Sequence, residues 1–299
     1  MFDTNPSIIQ EPPRSHSHLR PQPTSTPTPL ILIHDGGGTI YSYHCLGPLG
    51  GRPVYGIHNP HYGTDLVWPG GIRQMAAHYL ALIKTVVPKG PIILGGWSLG
   101  GLLSLQIARL VADDDDGGVE VLGIVMVDSI YPRAPGGGLG GPQRVVPHAV
   151  EWSATTRKET REAVQRCFDE AGRMVREWKM PTWEAREEGE EGEAYDPVMP
   201  GRDLEPPAVW LLRAQEPVPV MEEGVSRVDV YRRDRYLGWE GYRKGMVVKV
   251  EDVPGHHFNI FSFQDGHIDA VTEKLRRACE EVEQRARRKD GGSSKQAGS

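Results

Sequence analysis

Gly96-Trp97-Ser98-Leu99-Gly100 sets a serine between two glycines, with an apolar run on either side of the motif. A serine hydroxyl is a weak nucleophile until a neighbouring base takes its proton, and the oxyanion formed by its attack needs N–H donors already in place. A sharp strand-to-helix turn supplies the donors. It strains the serine backbone, lifts the hydroxyl above the sheet and aims the helix N-terminus, starting with the Leu99 N–H, at the developing charge. Only glycine on both flanks leaves room for that turn. The spacing therefore predicts Ser98 as the nucleophile of an acyl-transfer or hydrolytic site, with Leu99 as one oxyanion donor.

A base has to come from later in the chain. Gly255-His256-His257-Phe258 follows the strand-like run Met246 to Val250, which is where this chain order places a histidine. Both neighbours cannot point at one serine. His16 and His18 lie in a Pro/Ser/Thr-rich stretch and His58 and His61 in a loop, where surface or packing roles are the expectation. A carboxylate must then orient the imidazole and stabilise its charged form. Asp128 ends one apolar run, while Glu216 follows another, Val209-Trp210-Leu211-Leu212.

The elements that would position these groups read clearly. Leu30 to Ile33, Val54 to Ile57, Ile92 to Leu94, Val121 to Val127, Val209 to Leu212 and Met246 to Val250 are short apolar runs bounded by turn residues, the pattern of strands buried on both faces. Helical spacing runs over Ile72 to Val87, Leu99 to Val111 and Ile268 to Arg285. Strands alternating with helices predict an α/β fold with a mostly parallel, doubly wound sheet. The alternation breaks from Pro132 to Pro207, which holds a Gly cluster, a helical stretch from Glu159 to Trp178 and the acidic run Glu187 to Glu193. An insertion of that length is expected to be a helical lid over the site. The expected division is a flexible leader over 1–28, one domain over 29–285 and a flexible tail over 286–299.

Composition narrows the partners. A formal charge of −6 over 299 residues creates no positive field for nucleic acid or anionic lipid. Cys45, Cys167 and Cys279 are odd in number and widely spaced, which argues against a disulfide framework and a zinc site and suits a reducing, cytoplasmic setting. No apolar run approaches the roughly 20 residues of a membrane span. No cofactor or metal is expected. Gly136, Gly138 and Gly141 match a dinucleotide-binding pattern by letter, yet no helix follows to receive a pyrophosphate. Asp113 to Asp116 reads as a helix end and Trp152, Trp178 and Trp183 as packing residues or the lining of an acyl tunnel.

From about Pro29 to Leu275 the chain resembles the thioesterases that release polyketides and nonribosomal peptides, especially those ending fungal polyketide synthases. The marks are His34-Asp35-Gly36-Gly37-Gly38-Thr39, Val54-Tyr55-Gly56-Ile57 with Asn59-Pro60, Gly95-Gly96-Trp97-Ser98, Val127-Asp128-Ser129 with Tyr131-Pro132, Leu237-Gly238-Trp239 and Gly255-His256-His257-Phe258. The resemblance implies an α/β-hydrolase fold with His257 as base; His256 departs from the family's usual Asp or Asn. It also implies Asp128 rather than Glu216 as the acid, and Gly36, with Gly37 next to it, as the second oxyanion donor. The implied reaction is attack of Ser98 on an acyl thioester carried by the phosphopantetheine arm of an acyl carrier protein, resolved by water or by a nucleophile within the chain. With no carrier module in the sequence, the expectation is action in trans. The rivals are a carboxylesterase acting on oxygen esters and a non-catalytic small-molecule receptor of the same fold.

Overall fold

The structure is a computed structural model that describes residues 4–12, 27–114, 118–133, 144–147, 152, 155–184, 204–263 and 266–296. Its strands are β1 (Ser7–Gln10), β2 (Leu30–Ile33), β3 (Val54–Ile57), β4 (Gly90–Trp97), β5 (Val119–Val127), β6 (Val209–Ala214) and β7 (Val247–Val253). They form one sheet in the order β1-β3-β2-β4-β5-β6-β7. All neighbours from β3 to β7 are parallel, and β1 alone runs antiparallel, against β3. The helices are α1 (Tyr41–His44), α2 (Gly71–Val86), α3 (Leu99–Ala112), α4 (Lys158–Glu177) and α5 (His267–Gln296).

Leu30, Ile31, Leu32 and Ile33 are all fully buried, so β2 has no wet face and needs cover on both sides. Successive side chains on a strand point to opposite faces, and the two cores divide accordingly. Ile31, Ile33, Ile92, Leu94, Ile124 and Met126 join Tyr79 and Ile83 of α2 and Leu103 of α3. Leu30, Leu32, Ile93, Val125 and Val127 join Val271, Leu275 and Val282 of α5 on the other side. Tyr43 in α1 pins two strand ends together. Its hydroxyl donates to the Ile33 carbonyl at 2.6 Å and accepts from the Trp97 N–H at 2.9 Å, so β2 and β4 end at a fixed separation.

Two boundaries differ from expectation. Ser7–Gln10 is not a loose leader but an edge strand, and the Gln10 side chain ties it down, donating to Gly47 O at 2.7 Å and accepting from Leu49 N at 3.0 Å. Ser-Ile-Ile-Gln has only two apolar residues between polar ones, neither an unbroken apolar run nor an alternation, so the strand emerges only from its pairing with β3. At the other end α5 continues to Gln296 instead of ending near 285, carried past that point by the good helix formers Ala286, Arg287, Arg288 and Lys289. The insertion between β5 and β6 contains α4 as anticipated, and its residue Val146 donates to Val225 O at 3.0 Å, tying it to the β6–β7 segment. Gly136, Gly138, Gly141 and the run Glu187 to Glu193 lie outside the described residues. Trp178 and Trp183 are buried packing residues, their indole N–H groups donating to Gln106 Oε1 and Tyr242 OH, each at 2.8 Å.

The glycines of the β4–α3 turn face immovable neighbours. A Cβ on Gly100 would stand 2.2 Å from the Ile33 carbonyl oxygen, and one on Gly96 would stand 2.6 Å from the Gly100 backbone. Gly172 in α4 is different, with only the mobile end of Arg176 within reach, at 3.4 Å. Gly100→Ala is therefore expected to lower the unfolding free energy by several kcal/mol or to prevent soluble expression, whereas Gly172→Ala should fold and gain up to about 1 kcal/mol of helix propensity. Denaturant unfolding of the two variants checks the contrast.

Candidate active site

Ser98 sits at the N-terminus of α3 with φ 55° and ψ −116°, a strained conformation for a residue with a side chain. The strain is held by its surroundings: the Ser98 N–H donates to Val127 O at 2.9 Å, and the two flanking glycines let the turn press against the end of β2. One strand further along, Asp128 follows β5 with φ 46°, and its N–H donates to Leu212 O at 2.7 Å. Aspartate tolerates the left-handed region better than most residues. His257 lies in the turn after β7, where Gly255 has φ 84° and a Cβ would meet Asn259 Oδ1 at 2.3 Å. That same oxygen accepts the His256 N–H at 2.7 Å and closes the turn.

These three turns bring their side chains into one line. His257 Nε2 is 3.1 Å from Ser98 Oγ, and His257 Nδ1 is 2.7 Å from Asp128 Oδ2. Asp128 is fully buried and His257 is 2% exposed, so the pair works away from bulk water. His256 is turned aside, its Nδ1 accepting the Phe258 N–H at 3.3 Å. Glu216 is exposed, and its backbone N–H is spent on Gly255 O. Of the alternatives left open by spacing, the geometry joins His257 and Asp128 to Ser98 and leaves His256 and Glu216 out. Such a line can pass the Ser98 proton to Nε2 while the carboxylate holds Nδ1 as a donor.

Asp128 carries further partners that its sequence surroundings do not announce. Oδ1 accepts from the Ala214 N–H at 2.9 Å, and Arg232 grips both oxygens, at 2.6 Å and 2.7 Å. Burial alone would raise the Asp128 pKa; the hydrogen bonds from Arg232 and His257 more than offset it and hold the carboxyl well below the usual range. Arg232 is 104 residues away in sequence, in a stretch rich in arginine, and no motif distinguishes it.

Gly36 and Leu99 both border the cavity beside Ser98. The Gly37 N–H is already engaged, donating to Asp35 Oδ1 at 3.1 Å, so of the two glycines Gly36 is the one left for an oxyanion. Phe168 of α4 lies over it, 3.0 Å from where a Gly36 Cβ would stand. The cavity measures about 740 Å³, and Leu102, Ile130, Phe168, Val175, Val228 and Val230 give it largely apolar walls. Asp35 interrupts them. Burial pushes its carboxyl up to about 6, against the opposing pull of the Gly37 N–H and of His257.

A mostly parallel seven-stranded sheet with a serine at its sharpest strand-to-helix turn and a histidine–carboxylate pair reaching that serine defines an α/β-hydrolase. The family model for the thioesterase domain matches residues 28–279. Thioesterase frbE of Dothideomycetidae sp. (strain 11243) is 37% identical over 277 residues, covering 89% of this chain and 95% of the relative. Nonribosomal peptide synthetase imqB of Aspergillus flavus is 32% identical over 296 residues, 94% of this chain and 8% of that much longer protein. Among solved structures, the NocB thioesterase domain in covalent complex with a fluorophosphonate nocardicin G analog superposes with a TM-score of 0.57 at 23% identity, over 85% of this chain and 95% of that one, a likeness of fold. The chain belongs to the thioesterase family, and it is a hydrolase of thioesters.

Two outcomes follow from this geometry. Asp128→Asn is expected to lower kcat/KM by about 10³-fold or more, while Glu216→Gln stays within a few-fold of the parent in a steady-state thioester assay. A carboxyl raised to about 6 is preferred in its neutral form by the native state, so its contribution to stability is present below the unfolded pKa and lost as pH rises through the folded one. Asp35→Asn, which can still accept the Gly37 N–H, should raise the thermal midpoint at about pH 8 and leave it unchanged near pH 4.

Proposed function

We propose that the chain releases a polyketide or peptide acyl group from the phosphopantetheine thioester of a carrier protein, in secondary metabolism, through an acyl-Ser98 intermediate. One observation carries this reading: Ser98 Oγ, 3.1 Å from His257 Nε2, borders an apolar cavity of about 740 Å³, far more room than a short acyl group needs. The match of almost the whole chain to a segment of a nonribosomal peptide synthetase supports a carrier-bound substrate.

In this mechanism His257 takes the Ser98 proton as Oγ attacks the thioester carbonyl. Gly36 and Leu99 N–H groups receive the oxyanion, and collapse of the tetrahedral intermediate expels the pantetheine thiolate, protonated by the imidazolium. Asp128 keeps the imidazole oriented and stabilises its charge throughout. A second attack, by water or by a hydroxyl or amine of the acyl chain, uses His257 as base again and frees Ser98. The insertion bearing α4 acts as the lid: Phe168 and Val175 form one wall of the cavity, so the acyl chain would lie between α4 and the β6–β7 segment.

Intact-protein mass spectrometry after mixing with acyl thioesters of graded length tests the reading. The expected result is a mass increase equal to the acyl group, located on Ser98, absent from Ser98→Ala and largest for long acyl chains. A higher kcat/KM for oxygen esters than for thioesters of the same acyl group would overturn it in favour of a carboxylesterase.

A further inference from the structure

Arginine has five N–H donors in a rigid fork, and Arg232 spends all of them. Two go to the Asp128 carboxylate, at 2.6 Å and 2.7 Å; one goes from Nε to Asp229 Oδ1 at 2.8 Å. The remaining two reach the carbonyls of Ala214 at 2.9 Å and Val228 at 3.3 Å. The three charged side chains are almost wholly enclosed, Asp128 at 0%, Asp229 at 2% and Arg232 at 9% exposure. Asp229 is itself fixed, since its second oxygen accepts the Val218 N–H at 2.7 Å. A buried ion pair is weak evidence for stability, because desolvation consumes much of the Coulomb attraction. Its placement directly behind Asp128 suggests another use.

We infer that Arg232 is a positioning residue for Asp128, and that Asp229 sets how strongly the Arg232 charge is felt there. The inference rests on the reading of Ser98, His257 and Asp128 given above. The bidentate grip fixes the plane of the carboxylate, so Oδ2 faces His257 Nδ1 and cannot rotate away. The guanidinium also keeps a fully enclosed carboxyl ionised. It does so at a cost: a carboxylate shared with Arg232 attracts a proton on the imidazole less strongly than a bare one. Asp229, on the far side of the fork, returns part of that negative charge.

The ionisable groups around His257 are Asp128 at the end of β5, Asp35 in the loop after β2, Ser98 at the start of α3, His256 on its own turn, and Arg232 and Asp229 behind Asp128. Removing the Arg232 charge raises the proton affinity of the Asp128–His257 pair, whereas removing the Asp229 charge lowers it. The two changes therefore move the acid limb of the reaction in opposite directions, which a merely structural role would not do.

The experiment measures the rate of Ser98 labelling by a fluorophosphonate against pH, with thermal midpoints recorded alongside. Arg232→Gln is expected to move the acid limb to higher pH by about one unit or more. Arg232→Lys keeps the charge but not the fork, so its limb stays near that of the parent while the plateau rate falls. Asp229→Asn moves the limb to lower pH. Limbs that stay in place in Arg232→Gln and Asp229→Asn, whatever their midpoints, overturn the inference and leave Arg232 a packing group. Should Arg232→Gln not fold, Asp229→Asn decides: a downward shift upholds the inference and an unmoved or upward limb overturns it. Parent protein that is not labelled on Ser98 at any pH overturns the underlying Ser98–His257–Asp128 reading instead, a result distinct from a labelled parent with unmoved variants.

Discussion

The carbonyl oxygen of Ile33 occupies the space into which any side chain at position 100 would project, and the same oxygen accepts the Tyr43 hydroxyl from the opposite face of the sheet. This crowding sets the distance between the end of β2 and the β4–α3 turn. Next to that close approach Ser98 takes its positive-φ conformation, and Gly36 after β2 and Ser98 after β4 border one cavity. The turn is costly as isolated backbone, and the cost is met by the fully buried strands on either side, which cannot shift without exposing Leu30 to Ile33 or Ile92 to Leu94.

The second demand on the fold is a charge in a dry place. Asp128 meets the His257 imidazole at the end of β5, where its side chain is fully buried and a charge without partners would be costly. The chain resolves this by spending a backbone N–H, from Ala214, and a complete guanidinium on one carboxylate. It follows that the segment between β6 and β7 does two things at once. Val228 and Val230 line the cavity beside Ser98, while Asp229 and Arg232, between and just after them, are joined to each other and through Arg232 to Asp128.

How much of this could be read from residues alone depended on the range of the interaction. The turn around Ser98 is local, so its glycines, the preceding strand and the following helix lie together in the sequence. The sheet strands were legible for the same reason, because burial on both faces leaves unbroken apolar runs. Choosing between His256 and His257, or between Asp128 and Glu216, needed the resemblance to a family, since spacing alone treats the members of each pair alike. Arg232 was out of reach altogether: one arginine among many acquires its partner only when β5 and the β6–β7 segment meet. The start of the chain is harder, because the Pro-, Ser-, Thr- and His-rich composition from about residue 10 to 29 sets the expectation for everything before Leu30, and Ser7–Gln10 has no apolar run of its own.

That first strand has a consequence for the molecule's behaviour in a crowded solution. Without Ser7–Gln10, β3 would form the outer margin of the sheet, presenting unpaired amide and carbonyl groups beside the apolar residues Val54 and Ile57. Such a margin is a template for another chain's strand and a starting point for aggregation. Gly56 has no side chain to shield it, and Ile9 fills the gap from above, within 3.0 Å of where a Cβ would be. The opening residues thus serve as a built-in selvedge: the outer margin becomes a four-residue strand whose register is irregular between Ile8 and Gln10, a poorer template for a foreign strand than β3.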